Sequence, residues 1–94
     1  MLSARTQQIL KSVVEQYIGA AIPVPSQKIV DDYALGVSPA TIRNEMALLE
    51  REGYLIRPYS SAGSVPTDKG YRFYVESLTE VTLPEDEQRT ISHL

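Results

Sequence analysis

Apolar residues return every three to four positions in four stretches of this chain and run as a short β-type segment once, a pattern that predicts four helices and one small hairpin. Ile9, Leu10, Val13, Val14, Tyr17 and Ile18 form the first stripe, behind a Ser3 placed to cap the helix start. Gly19 and the run Pro23-Val24-Pro25 are expected to break that helix. Ser26 offers a cap for a shorter helix, Gln27 to about Ala34, that buries Ile29, Val30 and Tyr33, and Leu35-Gly36-Val37 makes a tight corner after it. Thr67 caps a last helix in which Tyr71, Tyr74, Val75 and Leu78 are expected to pack back on the first.

The helix from Pro39 to Glu52 is the best specified. Ser38 can accept from free backbone N–H groups of the first turn, Pro39 sits where a missing N–H costs nothing, and Gly53 supplies a left-handed stop. Ile42, Met46 and Leu49 stack into one narrow apolar stripe, so Ala40, Arg43, Asn44, Ala47 and Arg51 fall opposite it. Glu45, Glu50 and Glu52 are left on the flanks. Arginine can bond guanine O6 and N7 as a fork, asparagine can bond adenine N6 and N7, and two alanines let the backbone approach a groove closely. An ordinary solvated helix face would carry similar residues, and the neighbouring elements decide between the two readings.

Tyr54-Leu55-Ile56 has strand character, Ser60-Ser61-Ala62-Gly63-Ser64 is a polar turn, and Val65 begins a short return strand. Pro58 and Pro66 each lack a ladder donor and confine these strands to an edge hairpin. Three helices and a hairpin make a mainly α fold with a small β-hairpin, the winged helix-turn-helix, over residues 1–78. Hydroxyls and backbone N–H groups of the wing are candidate donors to phosphate. The expected DNA-contacting set is Ser38, Ala40, Thr41, Arg43, Asn44 and Arg51 on the helix, with Tyr59, Ser60, Ser61, Gly63 and Ser64 on the wing and Lys69 and Arg72 on the last helix. Residues 79–94 are expected to be an acidic connector, Thr79 to Thr82, and the start of a further helix at Pro84. The apolar stripe begun by Ile91 and Leu94 suggests a packing partner, expected either in a C-terminal portion beyond this sequence or in another chain with which this one pairs.

Charge refines this picture. The net charge of -3 over 94 residues is concentrated late, because Arg89 alone stands against Glu80, Glu85, Asp86 and Glu87, while residues 1–78 are balanced. A neutral body attracts phosphate weakly, so binding is expected to rely on specific contacts and on two copies acting together. The chain has no cysteine and its single histidine is His93, which leaves no thiolate site and no nucleophile and base pair. Glu85, Asp86 and Glu87 lack metal-ligand spacing and suit a helix start, so neither an enzyme nor a cofactor is expected. No apolar run resembles a signal peptide or membrane span, which points to the cytoplasm. A winged helix serving as a protein-interaction module is the alternative to a DNA binder.

The strings Val37-Ser38-Pro39-Ala40-Thr41-Ile42-Arg43-Asn44, Gly53-Tyr54-Leu55, Ser61-Ala62-Gly63 and Pro66-Thr67-Asp68-Lys69-Gly70-Tyr71-Arg72 resemble the N-terminal domain of the HrcA heat-inducible transcription repressors over most of residues 2–78. That resemblance implies a bacterial repressor of chaperone genes that binds an inverted-repeat operator in double-stranded DNA as a homodimer. It also implies a larger C-terminal portion that dimerises, and a link to the GroEL chaperonin. Ser64 stands where the family has a basic wing residue, which is expected to weaken binding and flatten its salt dependence. Ile22 and Pro25 replace an acid and a glycine before the second helix.

Overall fold

A computed structural model of the chain describes residues 2–32, 36–59 and 62–82, with side chains up to residue 78. Tyr33, Ala34, Leu35, Ser60, Ser61 and the stretch from Pro84 to Leu94, on which some expectations fell, lie outside the described residues. The elements run α1 (Ala4–Ala20), α2 (Ser26–Asp32), α3 (Pro39–Arg51), β1 (Leu55–Tyr59), β2 (Gly63–Pro66) and α4 (Asp68–Thr82). This is the mainly helical, winged helix-turn-helix arrangement that the hydrophobic pattern predicts.

Local chemistry sets most boundaries. Ser3 caps α1 by accepting from the Thr6 N–H, while its hydroxyl lies 2.8 Å from that of Thr6. The helix passes through Gly19 rather than breaking there. Its stop is Ala21, held at φ 59° in the left-handed region, whose N–H reaches the Tyr17 carbonyl at 2.7 Å. Helix α2 begins at Ser26 itself, one residue earlier than expected. Thr67 donates its hydroxyl to the Gly53 carbonyl and accepts from the Gly70 N–H, so it both starts α4 and ties it to the end of α3. The backbone stays helical from 79 to 82, where a connector was expected.

One core holds these helices together. Ile9, Leu10, Val13 and Val14 of α1 pack with Val24, Ile29, Ile42, Met46, Leu49 and Leu55, all buried. Tyr71, Phe73 and Tyr74 of α4 close the cluster, with Tyr71 set edge-on against Tyr17 and Phe73 edge-on against Tyr54. Of the residues expected on these faces, Tyr71 and Tyr74 do pack on the core, while Ile18, Val75 and Leu78 stay at the rim, 59, 58 and 41% exposed. Burial raises the pKa of the Tyr71 hydroxyl above the ordinary tyrosine value, and Tyr17 beside it adds to the shift.

The two-stranded hairpin is longer than its sequence suggests and carries an additional isolated bridge. Leu55 pairs with Pro66 and Ile56 with Val65, but the next pair is Tyr59 with Gly63, so Arg57 and Pro58 bulge opposite the single residue Ser64. The bulge accommodates Pro58, which has no N–H to donate. Ser64 turns its own backbone to the other side, exchanging bonds of 2.8 and 3.0 Å with Val24, the one residue of Pro23-Val24-Pro25 that has an N–H. The wing is thereby stitched to the link between α1 and α2. Gly63 makes the stitch sterically feasible: it sits at φ 106°, and a Cβ there would stand 2.5 Å from the Val24 carbonyl carbon.

Two outcomes are expected. Replacing Gly63 by Ala should cost about 1 to 3 kcal/mol, read as a lower thermal midpoint by circular dichroism. Because the folded state favours the neutral Tyr71 phenol, its contribution is complete below the ordinary tyrosine pKa and is lost as pH rises through the raised one. A Tyr71→Phe variant should therefore show a shallower alkaline loss of stability than the parent chain, in melts taken across that pH range.

Candidate nucleic-acid interface

Helix α3 owes its orientation to two features of its own sequence. Ser38, at φ -73° and ψ 158°, accepts from the Thr41 N–H at 3.2 Å, and Pro39 fills the first turn. Ile42, Met46 and Leu49 are buried, which turns Ala40, Arg43, Asn44, Ala47 and Arg51 to solvent. Arg43 and Asn44 are both exposed, as a reading face requires. Thr41 is half-buried, and its hydroxyl lies 3.0 Å from that of Ser38. The stop is Gly53 at φ 86°, following Glu52.

The acids of α3 are engaged internally. Glu45 accepts from the hydroxyl of buried Thr6 on α1, which pins the middle of α3 to the first helix. Glu50 accepts from Ser64 at 2.6 Å and from Arg57 at 3.2 Å. The solvent-facing side of α3 therefore presents two guanidiniums and an amide, with the acids drawn toward the body of the domain. That arrangement suits a surface of high negative charge with base edges between its phosphates.

The wing residues divide. Tyr59 is exposed on β1 and Gly63 half-buried at the start of β2. Ser64, expected as a wing contact, is wholly buried, with its hydroxyl given to Glu50 and its backbone to Val24. It is a joint between wing and helix and cannot meet DNA. Arg57, absent from the sequence-derived set, does reach the surface here: with Arg43 it borders an open cleft of about 240 Å³ between α3 and the wing. It lies in the bulge, whose one local sequence signal is the neighbouring Pro58.

On α4, Arg72 is exposed, but Lys69 has an internal task. Its Nζ donates to the Glu52 carbonyl at 2.9 Å and lies 4.4 Å from the centre of the Tyr54 ring. A cation over the last carbonyls of α3 complements the negative end of that helix. Among the described residues no group of three or more His, Asp or Glu is placed to hold a metal ion.

No family model matches the chain. Over its whole length it is 54% identical to the heat-inducible transcription repressor HrcA of Dehalococcoides mccartyi, 27% of which it covers. The HrcA of Streptomyces albus G is 48% identical over 94 residues and that of Chloroflexus aggregans 52% over 93, covering 28% and 25% of those proteins. The chain thus spans about a quarter of the length of these curated relatives. A crystal structure of a hypothetical protein, determined at 2.2 Å resolution, superposes with a TM-score of 0.83 at 42% identity, over 88% of this chain and 27% of that one.

The engagement of Lys69 carries a prediction. Lys69→Met should lower stability by roughly 0.5 to 1 kcal/mol in denaturant melts, through loss of the charge at the end of α3 and over Tyr54. A stability unchanged by this substitution would return Lys69 to the set of free surface cations.

Proposed function

As the chain belongs along its whole length to the HrcA family of heat-inducible transcription repressors, we propose that it is the part of such a repressor that binds operator DNA. The observation that carries this reading is the exposed pair Arg43 and Asn44 on a helix whose opposite side is locked into the core. Helix α3 enters the major groove with Thr41, Arg43 and Asn44 near base edges, while Ser38 and Ala40 lie at its leading end and Arg51 further along. The wing, with Tyr59, Ser60, Ser61 and Gly63, lies on the sugar-phosphate backbone, and Arg72 meets phosphate from α4.

Repression follows from occupying the promoter of heat-shock chaperone genes in the bacterial cytoplasm. The balanced charge of residues 1–78 makes a single copy a weak binder and favours two copies acting together; that the operator is an inverted repeat is what the family resemblance implies. In this reading both the pairing and a link to the GroEL chaperonin are assigned to chain beyond the quarter of the relatives' length that this sequence spans. The same charge balance favours a second reading, a winged helix that serves protein interaction without tight DNA binding.

The test is a selection of preferred duplexes from a random pool, followed by binding measurements on the selected and scrambled sequences. Arg43→Ala should cost about 1 to 3 kcal/mol on the selected duplex and relax preference at one base pair, with Asn44→Ala acting at a neighbouring one. Enrichment of no sequence, or equal losses on both duplexes, would sink direct readout and leave the interaction module.

A further inference from the structure

Arg57, which lines the cleft between α3 and the wing, forms an ion pair with Glu50. Its geometry is unusual in how the two partners are held. A single oxygen, Glu50 Oε2, accepts from Arg57 Nη2 at 3.2 Å and from Ser64 Oγ at 2.6 Å. Ser64 is fixed in turn by its backbone bonds to Val24 and is 0% exposed. The carboxylate is therefore anchored from the domain side, and the Glu50 side chain is 23% exposed against 48% for Arg57. Of the two ions the arginine is the one free to leave. When it does, the serine hydroxyl still satisfies the acceptor, so no buried charge is stranded.

We propose that Arg57 is a phosphate-binding residue of the wing held in reserve by Glu50, and that DNA binding exchanges the carboxylate for a backbone phosphate at the same guanidinium. This rests on the reading that α3 lies in the major groove. The duplex strand bordering that groove then passes through the gap between α3 and the wing, which Arg43 lines from one side and Arg57 from the other. Guanidinium binds a phosphate through two parallel N–H donors, a better match than the single contact it makes with Glu50. An ion pair this exposed is weak, so surrendering it is a small cost. Glu50 thereby acts as an internal competitor: it lowers the charge that the free domain shows to DNA without removing the contact from the bound one.

The experiment measures binding of a random-sequence duplex by fluorescence anisotropy across a salt series, for the chain and its Arg57→Gln, Arg57→Lys, Glu50→Gln and Arg57→Gln/Glu50→Gln variants. Glutamine at position 50 keeps an acceptor for Ser64, and thermal melts of each variant check that the fold is kept. Arg57→Gln should weaken binding and reduce the slope of log K against log salt by about 0.9, the release expected from one phosphate contact. Arg57→Lys should keep the slope. Glu50→Gln should tighten binding severalfold, and that gain should vanish in the double variant. An unchanged slope in Arg57→Gln overturns the proposal, as does a Glu50→Gln gain that survives without Arg57, since the acid would then act only by repelling DNA. The random duplex has no preferred site, so this outcome is independent of sequence selection: loss of selectivity with the Arg57 slope intact removes base readout alone. Failure of the chain to bind any duplex at the lowest salt removes both.

Discussion

Burial of Ile42, Met46 and Leu49 against α1 fixes the rotation of α3 about its own axis, and every functional statement about this domain follows from that rotation. A helix turned by one residue, about 100°, would bring Arg43 toward the apolar core and free Ile42 to solvent. The arrangement is enforced twice. The apolar stripe excludes water from one side, and the bond from Thr6 to Glu45 pins a flank of the same helix to α1. Ser38 and Gly53 then limit how far the rod extends, so the residues at its leading end are also set along the axis.

How much of this was legible in sequence depended on whether the cause was local. The start and end of α3 were, because Ser38, Pro39 and Gly53 act on backbone groups within a turn of themselves. The outward placement of Arg43 and Asn44 was legible too, since helical period alone assigns faces. The end of α1 was not. Gly19 looks like a stop, yet the left-handed residue is Ala21, a type with no preference for that conformation, and the bond that holds it comes from geometry at Tyr17.

Ser64 and Lys69 show the limit more sharply. A serine in a polar stretch reads as solvated, but its surroundings here are supplied by Val24 and Glu50, 40 and 14 positions away in the chain. Lys69 reads in sequence as a free surface cation, yet its Nζ bonds the carbonyl of Glu52, 17 positions earlier, at the end of α3. Arg57 is the complementary error: a bulge two residues wide turns it toward the cleft, and a bulge is a property of pairing between strands rather than of either strand alone. The family resemblance carried the right fold past these gaps because it depends on whole strings of residues and not on any one assignment.

The stitch between Val24 and Ser64 has a consequence for how the domain meets a long, regular partner. A wing attached only by its own two ends would pivot, and its tip would sample many separations from α3. Fastened across its middle to the link that joins α1 and α2, it becomes a fixed jaw. The separation of α3 from the wing is then set by the fold itself, so any partner that touches both must match that span.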